Sequence, residues 1–222
     1  MKKRALIAID GPSGAGKTTL SRLLAERLGF VHIDTGAMYR AFAVFAISQR
    51  INLNDEKALV DLLDHFSIEF KNNRIHVNGI DYSERIRSME AGEGASKVGV
   101  SPAVREKLVR IQRELAKNGG VVMEGRDIGS YVLPHADVKF FITASLQERA
   151  SRRFKEFRKG GKKISFQKVM EDIKTRDERD SKRKHAPLRI SKDAIIVDTT
   201  NQKIQESLAE LLKILKERGI ME

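Results

Sequence analysis

Ala5-Leu6-Ile7-Ala8-Ile9-Asp10-Gly11-Pro12-Ser13-Gly14-Ala15-Gly16-Lys17-Thr18-Thr19 is the stretch that decides how the rest of this chain is read. Five apolar residues run without a break up to Asp10-Gly11, the pattern of a strand buried on both faces. Beyond it, Gly11, Gly16, Lys17 and Thr18 meet every fixed position of G-x-x-x-x-G-K-[ST]. Leu20, Leu23, Leu24 and Leu28 then recur at helical spacing, which predicts a helix over Lys17–Leu28 closed by Gly29. Strand, glycine-rich turn and helix in that order form a phosphate cradle. The glycines let successive backbone N–H groups face one anion, and the positive end of the helix points at the same place. Gly11, Pro12, Ser13, Gly14, Ala15, Gly16, Lys17, Thr18 and Thr19 are therefore the expected triphosphate-binding set. Lys17 would reach the β- and γ-phosphates, and the hydroxyl of Thr18 or Thr19 would meet Mg²⁺. Which threonine does so is open at this level.

Outward from this core, strand and helix patterns alternate. Strands are expected at Phe30–Ile33, Val121–Met123, Val138–Ile142 and Ala194–Val197. Helices are expected at Gly36–Ser48, Pro102–Lys117 with Ser101 as its cap, Leu146–Arg158, Phe166–Arg179 and Gln202–Glu217. Strands separated by helices predict an α/β fold, a doubly wound, five-stranded parallel sheet with helices on both faces. One stretch breaks the rhythm. Phe66–Phe70 and Arg74–Val77 alternate with period two around Lys71-Asn72-Asn73, which reads as a hairpin. It is expected at the centre of a small α+β insertion over residues 64–99, leaving 1–63 and 100–222 as the core. Gly160-Gly161, in a basic cluster, reads as a mobile loop between two helices within a short helical lid at about 150–168.

Composition narrows the function classes. The chain has 222 residues, 41% of them hydrophobic, enough to fill a core. Its longest apolar run, Ala41–Ile47, is far short of the ~20 residues of a spanning helix. Lys2-Lys3-Arg4 before the first apolar run imitates a leader, but Asp10 ends the run too early, so a cytoplasmic protein without a membrane partner is expected. With no cysteine, disulfide frameworks and thiolate metal sites are excluded. The five histidines lack metal-ligand spacing. The net charge of +12 is concentrated: residues 148–192 hold 17 Lys and Arg against 7 Asp and Glu. Such an excess points to an anionic partner. Aromatic residues are only 6% of the chain, with no tryptophan, which argues against a base-stacking nucleic-acid surface.

Three further clusters refine the class. Asp34-Thr35-Gly36-Ala37-Met38-Tyr39-Arg40 follows the second strand, and Glu124-Gly125-Arg126-Asp127 follows the third. Ligands of doubly wound sheets sit beyond the carboxyl ends of the strands, so both clusters are expected on the rim that carries the glycine loop. Arg176-Asp177-Glu178-Arg179-Asp180 with Arg183 ends the basic segment.

With these segments, Gly125-Arg126-Asp127-Ile128-Gly129 and Ala186-Pro187-Leu188 in order, the sequence resembles the bacterial cytidylate kinases, nucleoside monophosphate kinases of the P-loop class. The D-[ST]-G-x-x-Y-R and G-R-D-x-G segments are specific to that family among P-loop kinases, and the resemblance extends from near the N-terminus to residue 188. It implies transfer of phosphate from ATP, with Mg²⁺, to CMP or dCMP. It further implies that Ser96, Arg105 and Asp127 read the cytosine ring. Arg40 and Arg126 would hold the monophosphate, with Thr35 and Tyr39 lining that pocket, and Arg176 and Asp180 would meet the ribose hydroxyls. Arg152, Arg153, Arg179 and Arg183 would join Lys17 and Arg126 in the catalytic set around the triphosphate. The hairpin insertion is similar to the family's monophosphate-binding domain, and a monomer is expected. Two positions depart from the family pattern: Thr18 stands where glycine is more frequent, and Glu124 where aspartate is.

The residues support this class independently. A phosphate acceptor is already an anion and has no proton that must leave, so positioning and neutralisation suffice. An arginine-rich rim without an evident nucleophile–base pair fits that chemistry. Two other readings compete. A P-loop kinase of a small hydroxyl acceptor would need a carboxylate as base, with Asp34 the best candidate. A nucleic-acid-binding P-loop protein would use the basic segment 148–192.

Overall fold

The computed structural model describes residues 4–71, 74–161 and 163–221. They form two compact units, Met1–Ile33 with Ala116–Glu222, and Asp34–Leu115.

The first unit is built on a parallel sheet. Its strands are β1 (Leu6–Asp10), β2 (Val31–Asp34, whose last residue opens the second unit), β6 (Val121–Gly125), β7 (Val138–Thr143) and β8 (Ile195–Asp198), in the order β2-β6-β1-β7-β8. The glycine-rich strand is thus central. Asp10 stands opposite Gly125 on β6 and Phe141 on β7. Strands β1, β6 and β7 are buried along nearly their whole length, as their mainly apolar sequences require, with Asp10, Glu124 and Lys139 the buried polar exceptions. Helices α1 (Lys17–Leu28) and α8 (Ile204–Glu217) place Leu20, Leu24, Leu28, Leu208, Leu211 and Leu215 against Ile7, Ile9, Phe140 and Ile142. Helix α8 starts two residues later than the apolar spacing predicts, because Glu206 reaches back to the Lys203 N–H (2.8 Å) and sets the cap there.

The basic segment folds as a helix pair, α6 (Leu146–Lys159) and α7 (Phe166–Lys182), capped by the hydroxyls of Ser145 and Ser165. A small apolar seam of Ala150, Val169 and Ile173, with Phe154 packed edge-on to Phe166, holds them together. Gly160 and Gly161 lie in the connection, as expected.

The second unit is organised by α2 (Thr35–Ser48), whose alanines and aromatics are buried on most sides. The other elements are α3 (Glu56–Leu63), β3 (Ile68–Lys71), β4 (Arg74–Val77), β5 (Ile80–Asp81), a 3-10 turn at Arg85–Arg87, α4 (Met89–Val98) and most of α5 (Pro102–Ala116). Strands β3, β4 and β5 form an antiparallel sheet; the expected hairpin pairs Ile68 with Val77 and Phe70 with Ile75. Its turn residues Asn72 and Asn73 lie outside the described residues. Phe66 packs on Phe42 (5.0 Å, edge-on) and Phe45 (5.9 Å). Ser101 caps α5 by accepting the Val104 N–H, as its position before Pro102 predicts.

Helix α4 has no apolar periodicity to announce it, since Met89–Val98 contains Gly92 and Gly94. It forms because α2 needs a close neighbour. A Cβ on Gly94 would sit 2.9 Å from the Ala43 Cβ and 3.2 Å from Leu53 Cδ1, so the missing side chain is what lets the two helices approach.

Candidate active site

The glycine loop of the first unit is shaped by backbone geometry. Gly11 has φ +146°, and a Cβ there would lie 1.9 Å from the Ile142 carbonyl oxygen on β7, so no other residue fits. Gly16, at φ +89°, caps α1 without a side chain, and the first turn carries no acidic residue. The N-terminal N–H groups of α1 are therefore left facing the loop, with nothing negative beside them in the helix. Lys17 is only 6% exposed, and its Nζ donates to the Pro12 carbonyl (2.7 Å). Burial first, then the charge of Arg126, bring its pKa from 10.5 down to about 7; Arg176 adds to the effect, while Glu124 and Asp10 oppose it. Cations thus crowd the loop.

Carboxylates organise that crowd. Arg126 Nε donates to Asp180 Oδ2 (2.8 Å). Burial disfavours the Arg126 charge, but Asp180 more than compensates and holds its pKa above the usual value. Burial likewise works against ionised Asp180, yet the charges of Arg126, Arg176 and Arg183 keep its carboxyl below the ordinary range. Arg183 Nη2 donates to Asp127 Oδ1 (3.2 Å), with both side chains buried. The sequence-predicted Lys17, Arg126, Asp127, Arg176, Asp180 and Arg183 are therefore linked in one charged network at the ends of β1 and β6.

Asp10, 4% exposed, accepts the N–H groups of Ile128 and Gly129, each at 2.8 Å. It thereby fixes the π-helical turn Ile128–Val132 that follows Arg126-Asp127. Burial outweighs those two bonds and raises its pKa to about 6.

The basic helices reach the loop through Arg152, which the sequence pointed to, and through Arg149, which it did not. Arg152 donates to the Thr199 side chain (3.0 Å) and carbonyl (2.6 Å) and to the Ala15 carbonyl (3.4 Å). Arg149, given no role in the sequence reading, donates to the Ser13 carbonyl (3.0 Å) and pairs with Asp177, whose other oxygen accepts the Ser13 N–H (3.2 Å). Arg153 lies along α6 itself, against Glu156 (2.9 Å) and over the Phe157 ring (4.6 Å). Arg179 is exposed on α7. The roles of Arg149, Asp177 and Thr199 depend on partners far away in sequence (Arg149 and Asp177 are 28 residues apart, Arg152 and Thr199 47), and no local spacing carries that signal.

Thr18 and Thr19 are both exposed at the start of α1, but they differ in partner. Thr18 Oγ1 donates to Glu124 Oε2 (3.1 Å), and the 3%-exposed Glu124 also meets His32 Nε2 (3.2 Å). A hydroxyl backed by a buried carboxylate is a hard oxygen donor set that suits Mg²⁺ bound mainly through phosphates and water. Among the described residues, no group of three or more His, Asp and Glu could hold a metal by itself.

In the second unit, Asp34 caps α2 by accepting the Ala37 N–H (2.9 Å) and pairs with Arg40 (2.8 Å). Thr35 is buried at the first turn. Arg105, 3% exposed, stacks its guanidinium over the Tyr39 ring at 5.8 Å and approaches the Gly99 carbonyl (3.5 Å). Ser96 ends the same helix that leads to Gly99, and its buried hydroxyl has no hydrogen-bond partner among the described residues. Tyr39, Ser96 and Arg105 are thus gathered around Gly99.

A phosphate cradle on a parallel sheet of this strand order defines an α/β P-loop kinase. In fold the chain is similar to a gluconokinase from Sinorhizobium meliloti (TM-score 0.50, 14% identity, 98% of this chain and 99% of that one). It is likewise similar to an uncharacterised protein from Eubacterium ventriosum (TM-score 0.55, 13% identity, 97% and 99%). The sequence is more specific. A family model described as cytidylate kinase matches residues 7–217. A protein from Caldicellulosiruptor saccharolyticus named cytidylate kinase is 45% identical over 216 residues, 96% of each chain. One of the same name from Thermotoga maritima is 46% identical over 213 residues, 96% of this chain and 97% of that one. The chain belongs to the cytidylate kinase family and is a nucleoside monophosphate kinase. No helix among its described residues is long and apolar enough to cross a membrane.

Proposed function

We propose that this protein transfers the γ-phosphoryl group of ATP to CMP or dCMP, giving ADP and CDP or dCDP, with Mg²⁺. A monophosphate oxygen attacks the γ-phosphorus as the bond to the β–γ bridging oxygen breaks, and ADP leaves. No proton need be removed, so the protein's task is to align two anions and neutralise them. The observation that carries this reading is the buried Lys17 at the end of the glycine loop, 6% exposed and held on the Pro12 carbonyl, in one charged cluster with Arg126, itself braced by Asp180. Such a cluster is unfavourable by itself and is relieved by polyphosphate. Two like unit charges 4 Å apart cost about 4 kcal/mol at an effective dielectric near 20, and bound phosphates turn that repulsion into attraction.

In this reading residues 11–19 hold ATP, with Lys17 and Arg152 near its phosphates. Arg126, tied to Asp180, meets the acceptor phosphate together with Arg40. Asp127 and Arg183 act as one pair, with Asp127 toward the base, and Arg176 and Asp180 take the ribose. Arg153 and Arg179 would need to leave their surface positions to reach phosphate. Ser96 and Arg105 read the cytosine ring; the unpartnered Ser96 hydroxyl is the feature of the second unit that a ring polar atom would satisfy. Thr35 and Tyr39 line the monophosphate pocket, within an acceptor-binding segment placed at residues 64–99 together with α2. Thr18, backed by Glu124, is the Mg²⁺ ligand, and the cation when bound withdraws charge from the β- and γ-phosphates. We further propose a cytoplasmic monomer.

The hydroxyl-acceptor alternative is disfavoured, because its candidate base Asp34 is tied to the Ala37 N–H and to the Arg40 guanidinium, whose charge lowers its basicity. ADP release measured across CMP, dCMP, UMP, AMP and shikimate tests the proposal. Turnover is expected with CMP and dCMP above all others. Turnover with a neutral alcohol and none with CMP would refute it.

A further inference from the structure

Arg149 belongs to none of the motifs, yet its placement is specific. It sits in the first turn of α6, 8% exposed, with its Nε on the Ala144 carbonyl (3.0 Å). Its Nη1 donates to the Ser13 carbonyl at 3.0 Å and also pairs with Asp177 on α7. The second oxygen of Asp177 accepts the Ser13 N–H at 3.2 Å. Both backbone groups of one glycine-loop residue are thus held by the helix pair. The next residue is built for the same approach. Gly14 has φ +78°, and a Cβ on it would lie 3.1 Å from both the Cβ and the carbonyl oxygen of Arg149. The loop therefore rests against α6 here, and its shape is decided by α6 and α7 as well as by its own glycines. All of these residues belong to the first unit.

A carboxylate beside a triphosphate site needs a reason, because like charges repel. Asp177 is useful there as an acceptor for the Ser13 N–H and harmful as an anion. Arg149, in direct contact with it, offsets the harm and keeps the hydrogen bond; Arg126 also feels the Asp177 charge. We propose that Arg149 is a positioning residue for the donor nucleotide: it holds the Ser13 carbonyl, steadies the Asp177 carboxylate on the Ser13 N–H and neutralises that carboxylate beside the phosphates. A planar guanidinium suits three contacts at fixed angles, which a lysine cannot match. A hydrogen bond to a charged group is worth roughly 10- to 100-fold in an equilibrium constant. The inference rests on the reading that residues 11–19 hold ATP.

Calorimetry of the Mg²⁺ complex of a non-hydrolysable ATP analogue, with CMP binding measured separately, tests the proposal. Arg149→Ala is expected to weaken the analogue about tenfold or more, and CMP by less than about threefold. Arg149→Lys should stay within about threefold of the Ala variant, because charge alone does not hold the loop. Adding Asp177→Ala to Arg149→Ala should regain about threefold or more, since the carboxylate that lost its direct partner goes with it. Lys155→Ala, which removes an exposed cation from the same helix, should change the analogue affinity by less than about threefold. Losses that multiply in the double variant, full rescue by lysine, or an equal loss from Lys155→Ala would overturn the role given to Arg149. So would an equal loss of CMP affinity, the mark of a helix pair that no longer packs. Lys17→Met separates the two layers of the argument. If it leaves the analogue affinity unchanged, the placement of ATP itself falls. If it lowers that affinity and Arg149→Ala does not, the role of Arg149 falls alone. Should Arg149→Ala fail to fold, Arg149→Gln with and without Asp177→Asn carries the same comparison.

Discussion

In the proposed reading the two units meet the same problem, holding an anionic nucleotide, with different materials. In the first, nearly every functional side chain is charged and braced by another: Arg126 by Asp180, Arg183 by Asp127, Arg149 by Asp177. In the second, the residues assigned to the acceptor sit in an apolar frame of α2, α4 and the Phe42–Phe45–Phe66 cluster, and the proposed reading gives specificity to a few polar atoms such as Ser96 Oγ and the Arg105 guanidinium. The difference predicts that the first unit governs the rate, while the second governs which acceptor is chosen.

Removing charge from the first unit should have the largest effect. Arg126→Ala is expected to lower kcat/KM for CMP by roughly 10³, the lower end of the range for a phosphate-stabilising arginine. Affinity for an ATP analogue, read by calorimetry, should change only severalfold. Equal loss of both would erase the division of labour. The same variant strands buried Asp180 and should lower the thermal midpoint, and Arg126→Lys should not rescue the rate where two-pronged contact to phosphate is needed.

A smaller effect is expected from the frame of the second unit. Gly94→Ala gains helix propensity worth about 1 kcal/mol, but it forces a methyl to 2.9 Å from Ala43. Overpacking costs about 1–3 kcal/mol, so net destabilisation is expected in a urea melt. A stabilised variant would mean that α2 and α4 separate at little cost.

Ser96→Ala sharpens the comparison at the smallest scale. The KM for CMP should rise roughly tenfold, about the worth of one lost hydrogen bond to a buried partner. Stability should stay level or rise slightly, because the deleted hydroxyl has no protein partner among the described residues. A fall in stability with unchanged KM would make Ser96 a structural residue.

The same contrast explains what was legible in the sequence. The strand–loop–helix unit was readable because its signals are local: the bounds expected for α1, Lys17–Leu28, are those observed. The hairpin was readable from strict alternation. Helix α4 was not, since two glycines broke its apolar period and its reason to exist lies in α2. The eight-residue helix α3 and the two-residue β5 were missed for similar want of length. At the site, Lys17 and Arg126 announce themselves by motif, whereas Arg149 and Thr199 act through backbone carbonyls and hydroxyls remote in sequence. The different surroundings of Arg152, half-buried, and Arg179, exposed, could not be told from a run of basic residues either. Only folding decides which of them meets an acidic partner or a carbonyl.

The central claim, that a crowded and partly discharged cation waits for phosphate, has a direct test in the protons exchanged on binding. Lys17, held down to about 7, carries its proton only in part at pH 8. Phosphates that stabilise the charged form raise its pKa, so the complex must take up a proton. Calorimetry of the Mg²⁺ complex of a non-hydrolysable ATP analogue at pH 8, in buffers of different ionisation enthalpy, should show net uptake approaching one proton, shrinking as the pH is lowered to 6. Binding heats independent of buffer at pH 8 would show that Lys17 was fully charged from the start, and would contradict the account.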